Sequence, residues 1–139
     1  MLKNYKLIIT YDGTSFFGWQ IQKDTRTVQG VIEKELKYIF KVDDINLIGS
    51  GRTDSGVHAN GQVANFFIET TMDELQIQNA LNRRLPEDIF INSCNTIDPK
   101  FNSRFSAVKR EYIYYITRDY SPINRMYSWR CKWILDEKK

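Results

Sequence analysis

Two segments with a helical spacing of apolar residues, each set between strand-like segments, constrain the fold of this chain most. Thr27 is a typical helix N-cap before the first segment, and Thr71 with Glu74 forms a capping-box signature before the second. The apolar positions are Val28, Val31, Ile32, Leu36, Ile39 and Phe40, then Leu75, Ile77, Ala80, Leu81 and Leu85, with Pro86 ending the second pattern. The spacing predicts two helices, each with one apolar face that packs on a sheet.

Five segments rich in β-branched and aromatic residues predict strands. They are Lys6–Tyr11, a short segment at Ile45–Ile48, Gln62–Glu69, Ile89–Ile97 and Arg110–Thr117. Together with the helices they give the order βαββαβ plus one strand, which predicts an α+β protein with a ferredoxin-like, mostly antiparallel sheet. We expect residues 1–100 to form this subdomain and residues 101–139 to begin a following one. RNA-binding modules and unrelated enzymes share this arrangement, so it does not name a function.

Charge and composition exclude several classes of protein. A formal net charge of +3 permits a phosphate-bearing partner but is too small for binding by charge alone. Cys94 and Cys131 lie far apart without CxxC spacing, which favours two free thiols, and the single histidine, His58, excludes a histidine-rich metal site within one chain. With no signal-peptide core and no membrane span in the sequence, we expect a cytoplasmic protein that does not bind a membrane.

The most unusual segment is Gly49–Gly61, which holds four of the seven glycines. Glycine at this density permits positive φ and close approach of a large partner to the backbone. Residues two apart in an extended chain point the same way, so Arg52 and Asp54 can meet on one face. An arginine beside an aspartate favours the ionised carboxylate, which suits a nucleophile or a group that stabilises positive charge. The alternative is that residues 54–56 form an ordinary turn and Arg52 is a solvated neighbour.

The residues Gly51-Arg52-Thr53-Asp54-Ser55-Gly56-Val57-His58-Ala59 closely resemble the signature of the TruA family of tRNA pseudouridine synthases. Shorter similarities follow in the family's order through most of the chain. They are Tyr11-Asp12-Gly13-Thr14, Phe17-Gly18-Trp19-Gln20, Thr27-Val28-Gln29, Ala80-Leu81-Asn82, Leu85-Pro86, Phe105-Ser106-Ala107 and Arg110-Glu111-Tyr112-Ile113-Tyr114. The resemblance implies the N-terminal catalytic part of a pseudouridine synthase fold, and we expect the second half of that fold to be missing from this sequence.

The resemblance also implies roles for individual residues. Asp54 is expected to be the catalytic nucleophile, Arg52 its partner, and Tyr112 the residue that packs against the target base. His58 and Arg104 are expected to contact the substrate RNA or to support the loop. From alternation alone, the alternative is that Tyr112 is a strand tyrosine that fills core. Candidates for phosphate contacts, each as easily a solvated charge, are Arg26, Arg83, Arg84, Lys109 and Arg110.

The implied activity is isomerisation of uridine to pseudouridine in the anticodon stem-loop of tRNA, at tRNA positions 38 to 40, by a homodimer. This reaction oxidises nothing and imports no group, so neither a cofactor nor a metal is expected. The target uridine must leave its helical stack, which explains a stacking tyrosine and basic surroundings beside the aspartate. Two alternatives stay open: a catalytically inactive RNA-binding fragment of the same fold, and a magnesium site formed by Asp12, Asp54 and nearby carboxylates.

Overall fold

The computed structural model describes residues 1–131 and residue 133, which fall in two compact units. The first unit comprises residues 1–108, and the second begins at Lys109. The predicted boundary at residue 100 stays a prediction, because a division into compact units does not test where one subdomain ends and the next begins. Residues 132 and 134–139 of the predicted second subdomain lie outside the described residues.

The first unit is built on a four-stranded sheet in which all neighbouring strands are antiparallel. The strands are β1 (Lys3–Tyr11), β2 (Ile48–Gly49), β3 (Ala59–Ile68) and β4 (Ile89–Ile97). Their spatial order is β2-β3-β1-β4, so β1 and β3 form the centre. With a helix after β1 and another after β3, this is the ferredoxin-like arrangement of a βαββαβ chain. The predicted α+β class with a mostly antiparallel sheet is confirmed.

The first helix, α1 (Val28–Phe40), begins where the sequence predicts. The Thr27 side chain accepts a hydrogen bond from the backbone amide of Gly30. One of the four amides that lack a partner inside the helix is thereby satisfied, and the cap fixes the first residue of α1.

The second helix, α2 (Glu74–Arg84), begins two residues later than predicted. Its N-cap is Asp73, whose carboxylate accepts from the Gln76 amide, while the Gln76 side chain accepts from the Asp73 amide. The predicted capping box of Thr71 with Glu74 is therefore wrong. Aspartate is at least as good an N-cap as threonine, and the reciprocal bond with Gln76 stabilises the later start.

The hydrophobic core lies between the helices and one face of the sheet. Alternate residues of β1 point into it, and Tyr5, Leu7, Ile9 and Tyr11 are at most 3% exposed. Strands β3 and β4 contribute Ala64, Phe66, Ile91 and Cys94 to this core. The two helices contribute Val28, Ile32, Leu36, Ile77 and Leu81. Leu75, predicted to belong to the apolar face of α2, is 63% exposed and lies outside this core.

On the opposite face of the sheet, buried amides hold the chain that follows β4. Asn4 donates from Nδ2 to the carbonyls of Asp98 (3.0 Å) and Phe101 (2.9 Å). Asn65 donates to Asn4 at 2.9 Å and accepts from the Ser103 amide at 2.8 Å. A buried polar network of this kind favours a single backbone arrangement, so residues 98–103 have a fixed place on this face.

The described part of the second unit contains a short parallel pair, β5 (Ile116–Thr117) with β6 (Trp129–Arg130). The predicted strand Arg110–Thr117 is wrong except at its last two residues. Tyr112 and Tyr114 favour strands, but they are 57% and 84% exposed. β-propensity reflects packing on a half-buried pleated surface. Within residues 1–131 and 133, no strand pairs with residues 110–115 to provide that surface.

Candidate active site

Two loops meet at one end of the sheet, where β1 ends and β3 begins. Tyr11, the last residue of β1, is paired with Ala59, the first residue of β3. The 12–19 loop follows β1, and the 50–58 loop joins β2 to β3. The 50–58 loop is the centre of the glycine-rich segment. The pairing of β1 with β3 thus brings together two segments that are distant in sequence.

Backbone hydrogen bonds join the two loops at two points. The Trp19 amide donates to the Thr53 carbonyl at 3.0 Å, and the Gly56 amide donates to the Phe16 carbonyl at 3.2 Å. Gly18 permits this approach, because its φ is +83° and a Cβ there would lie 2.5 Å from the Thr53 carbonyl oxygen. Glycine alone adopts this conformation in this space without displacing a backbone.

Side chains add two further links between the loops. The Tyr11 hydroxyl and Thr53 Oγ1 lie 2.7 Å apart, and the Gly13 amide donates to His58 Nδ1 at 2.8 Å. The same Nδ1 of His58 also lies 3.2 Å from Asp12 Oδ1. His58 therefore holds the end of the 50–58 loop against Gly13, and its predicted contact with RNA stays a prediction.

The start of the 50–58 loop is held by Gln62, a β3 residue that is 8% exposed. Its Oε1 accepts from the Ser50 hydroxyl at 2.9 Å, and its Nε2 donates to the Gly51 carbonyl. The Ser50 amide also donates to the Val63 carbonyl at 2.8 Å. The loop is thus anchored at its start, in its middle and at its end.

Arg52 and Asp54 lie on the outer side of this anchored loop. Thr53, between them, turns inward to Tyr11, and both of its neighbours are exposed. The predicted shared face of Arg52 and Asp54 stays a prediction. Among the described residues, Arg52 and Asp54 form no ion pair. A pair in open water gains only about 0–1 kcal/mol, too little to fix two exposed side chains.

Asp54 also begins a turn, as the alternative interpretation of this segment proposed. The Val57 amide donates to the Asp54 carbonyl at 3.1 Å, and Gly56 has a φ of +80°. The turn bends the backbone away immediately after Asp54. Asp54 itself is exposed.

Similarity to known proteins bears directly on these two loops. The family model described as tRNA pseudouridine synthase matches residues 7–106, a range that contains both of them. The chain belongs to this family. The resemblance to the TruA family is thereby confirmed.

Three relatives in this family are between 42% and 46% identical to the chain over the aligned residues. The tRNA pseudouridine synthase A 1 of Protochlamydia amoebophila is 42% identical over 134 residues, covering 95% of this chain and 52% of the relative. The tRNA pseudouridine synthase A of Maridesulfovibrio salexigens is 44% identical over 133 residues, which cover 94% of this chain and 49% of the relative. The tRNA pseudouridine synthase A of Thermosipho melanesiensis is 46% identical over 139 residues, which cover 97% of this chain and 56% of the relative. The chain spans about half the length of the curated relatives it matches.

In this pseudouridine synthase family member, the structure groups Arg52, Asp54 and His58 on one loop. Arg104 belongs to another segment of the first unit: it follows the anchored Ser103, is exposed, and has its guanidinium carbon 5.5 Å from the Phe105 ring centre. Tyr112 belongs to the second unit, in the stretch without regular structure. The roles predicted for Arg104 and Tyr112 stay predictions.

Two of the arginines considered for phosphate contacts are engaged within the protein. Arg26 forms a bidentate pair with Asp88, at 2.9 and 3.1 Å, and its guanidinium lies 4.0 Å from the Phe16 ring centre. Arg84 pairs with Glu35 at 2.5 Å and lies over Tyr38. Both arrangements favour a structural role, and that of Arg26 holds the 12–19 loop through Phe16.

Sequence reasoning missed the residues that anchor the loop. Gln62 carried a usable signal, because alternation with Ala64 and Phe66 places this polar side chain on the core face of β3. A buried polar side chain on such a face needs a hydrogen-bond partner, and here the partner is the 50–58 loop. Tyr11 carried the same signal on β1, since a buried tyrosine hydroxyl usually has a partner.

The carboxylate of Asp12, considered for a magnesium site, caps the turn at residues 13–15. Its Oδ1 accepts from the amide and the hydroxyl of Thr14, at 3.0 and 2.6 Å. Within the described residues, no three His, Cys, Asp or Glu side chains are grouped so that they could hold a metal ion. Over the same part of the chain, no helix has the length and apolar character needed to cross a membrane.

Proposed function

We propose that this chain isomerises uridine to pseudouridine in tRNA, with Asp54 as the nucleophile. One observation carries the proposal: in a member of the tRNA pseudouridine synthase family, Asp54 is an exposed carboxylate on a loop that the 12–19 loop and Gln62 anchor. An anchored backbone presents the carboxylate at a defined position. Its exposure leaves it open to a substrate as large as tRNA.

The proposed reaction exchanges one bond for another within a single nucleotide. The bond from ribose C1′ to uracil N1 breaks, the base turns, and C1′ bonds to C5. The proton of C5 is lost and N1 gains one, so atoms and electrons balance without an oxidant. The Asp54 carboxylate can attack either C1′ or the uracil ring, and both routes require a base that has left its stack.

We assign Arg52 a role that begins when RNA covers the loop. Arg52 and Asp54 share the outer side of Thr53, and their attraction grows as water is excluded. Two unit charges 4 Å apart gain about 1 kcal/mol in bulk water and about 4 kcal/mol at an effective dielectric of 20. Bound RNA therefore favours a pair that open water does not, and that pair keeps the carboxylate ionised and oriented.

The residues proposed to support substrate binding are Tyr112, Arg104 and His58. Tyr112 is 57% exposed, and we propose that its ring packs on the target base. Arg104 is exposed and positively charged, which suits a phosphate contact. His58 supports RNA binding through the position of the 50–58 loop, which it holds against Gly13.

The family also supports a more specific proposal about substrate and assembly. We propose that the target uridines lie in the anticodon stem-loop, at tRNA positions 38 to 40, and that the protein acts in the cytoplasm as a homodimer. A formal net charge of +3 is too small to bind tRNA by charge alone. A surface shared by two subunits offers more contact with the shape of the RNA.

The experiment that tests this function is chemical mapping of pseudouridine in tRNA incubated with three proteins: wild type, Asp54→Asn and Asp43→Asn. Asp43 is the matched control, because it is an exposed aspartate outside both loops. We expect product at the anticodon stem-loop from wild type and Asp43→Asn, and none from Asp54→Asn at unchanged tRNA affinity. Product from Asp54→Asn would remove the assignment of the nucleophile, and product at other positions would remove the proposed target.

A second candidate function is RNA binding without catalysis. The observation that favours it is the ferredoxin-like sheet, an arrangement that RNA-binding modules share with enzymes. In that case tRNA binding would weaken steeply with salt, and no pseudouridine would form even at high protein concentration. The mapping experiment separates the two functions when tRNA affinity is measured on the same samples.

A further inference from the structure

Phe17 is held out of the core immediately beside the 50–58 loop. It is 55% exposed, whereas its neighbours Phe16 and Trp19 are 3% and 2% exposed. Isolated exposed apolar residues are common on protein surfaces and need no explanation by themselves. The backbone around Phe17 distinguishes it from such residues in two ways.

First, the backbone of Phe17 is fixed on both sides. Its amide donates to the Arg26 carbonyl at 2.8 Å, and its carbonyl accepts from Gln22 Nε2 at 3.2 Å. The preceding ring, Phe16, lies under the Arg26 guanidinium, which Asp88 holds by two hydrogen bonds. An aromatic side chain on a fixed backbone loses little conformational freedom when it binds a partner.

Second, Phe17 lies next to the backbone of Asp54. A Cβ on the following residue, Gly18, would lie 2.5 Å from the Thr53 carbonyl oxygen and 3.3 Å from the Asp54 carbonyl carbon. Since consecutive Cα atoms are about 3.8 Å apart, the Cα of Phe17 is at most about 9 Å from that carbon. Phe17 and Asp54 are thus two exposed residues with neighbouring backbones on the joined loops.

We infer that Phe17 stacks on a nucleobase of the RNA whose uridine Asp54 attacks. The inference rests on the proposed function. An aromatic ring can stack on any base, and a site that draws a uridine out of its helix creates unstacked faces beside the nucleophile. Two bases offer such an unstacked face: the extruded uracil itself, and the adjacent base that has lost its stacking neighbour.

The test compares Phe17→Ala, Phe17→Leu and Phe17→Trp in single-turnover pseudouridine formation and in tRNA binding. Leucine keeps an apolar side chain but removes the ring, and tryptophan keeps a ring. The control is Phe90→Ala, a phenylalanine that is also 55% exposed but lies on β4. Loss of one base stack costs roughly 10-fold to 100-fold in affinity or rate.

We expect that loss in Phe17→Ala and Phe17→Leu, near-normal activity in Phe17→Trp and Phe90→Ala, and equal unfolding midpoints in all. Wild-type behaviour of Phe17→Ala or of Phe17→Leu would overturn the inference. An equal loss in Phe90→Ala would also overturn it. A lowered unfolding midpoint in Phe17→Ala, corrected by leucine, would make Phe17 a structural residue instead.

RNAs with an abasic nucleotide on either side of the target uridine distinguish between these two bases. If Phe17 stacks on an adjacent base, the penalty of Phe17→Ala disappears on the RNA that lacks that base. If it stacks on the extruded uracil, the penalty persists on both RNAs. Equal rates for wild type and Phe17→Ala on every RNA would exclude both.

Failure of this inference is distinguishable from failure of the proposed function. If wild type forms pseudouridine and Phe17→Ala does so equally well, only the stacking role fails. If wild type forms none but Phe17→Ala weakens tRNA binding, the catalytic function fails and the stacking role stands. If wild type forms none and Phe17→Ala binds tRNA equally well, both fail.

Discussion

Replacing Gly18 by alanine tests whether the 12–19 loop positions the loop that bears Asp54. Gly18 and Gly56 have φ values of +83° and +80°, so alanine costs roughly 1–2 kcal/mol of backbone strain at either position. The two positions differ in what the new methyl group meets. At Gly18 it would lie 2.5 Å from the Thr53 carbonyl oxygen, whereas at Gly56 no atom of the described residues lies within 4 Å.

The difference between the two variants therefore isolates the contact between the loops. A methyl group forced into a packed site typically costs a further 1–3 kcal/mol, because Thr53 and Trp19 must separate. We expect Gly18→Ala to lower the free energy of unfolding by about 2–5 kcal/mol and Gly56→Ala by about 1–2 kcal/mol. A displacement of 1 Å near the reacting groups can slow a reaction roughly 100-fold, so Gly18→Ala should also form pseudouridine slowly while still folded.

Urea unfolding followed by circular dichroism measures the stabilities, and single-turnover assays on the folded fraction measure the rates. The reasoning would be refuted if the two variants lost the same stability within about 0.5 kcal/mol, the usual error of such differences. A folded Gly18→Ala protein with the wild-type rate would refute the positioning role separately.

Two further predictions concern buried titratable groups. Burial raises the pKa of the Cys94 thiol to about 12. In a Cys131→Ser variant, where Cys94 is the remaining cysteine, we therefore expect a thiol reagent to label Cys94 only in denaturant. Rapid labelling of the native protein would contradict this prediction. Burial raises the pKa of Glu33, so the native state binds this proton more tightly than the unfolded state. Glu33→Gln should therefore be more stable than wild type at neutral pH, with the difference vanishing as pH falls through the raised pKa towards the ordinary 4.5. Urea titrations measure this difference, and a less stable Glu33→Gln at neutral pH would contradict it.

Local signals in the sequence predicted most of the first unit. Thr27 caps α1 as expected, and β4 has its predicted bounds, Ile89–Ile97. Both depend on interactions within a few residues, such as a cap or an alternating pattern. The order of these elements then sufficed for the ferredoxin-like arrangement, because few sheet orders suit two crossover helices on one face.

Competing or missing partners explain the errors. Thr71 and Asp73 both fit a helix start, and the better reciprocal bond of Asp73 with Gln76 decided between them. The stretch from Arg110 has strong strand formers, but a strand also needs a paired neighbour, which sequence pattern does not supply. Arg52 and Asp54 are both exposed and form no ion pair within the described residues, because an exposed pair gains too little free energy to fix two side chains.

The candidate site was found from a local motif, whereas its support was not. Asp54, Arg52 and His58 lie within seven residues of one another in the glycine-rich segment. The contacts that hold the segment join residues as much as 45 positions apart, such as Gly13 with His58. They follow from the pairing of β1 with β3, so they become visible only once the sheet register is known.

The most direct test of the central claim uses tRNA that carries tritium at C5 of its uridines. Formation of pseudouridine replaces the bond from C5 to hydrogen, so each turnover releases tritium to water. We predict release by wild type and by Asp43→Asn, and none above background by Asp54→Asn at equal tRNA binding. Tritium release by Asp54→Asn at the wild-type rate, or its absence with folded, tRNA-bound wild type, would contradict the account.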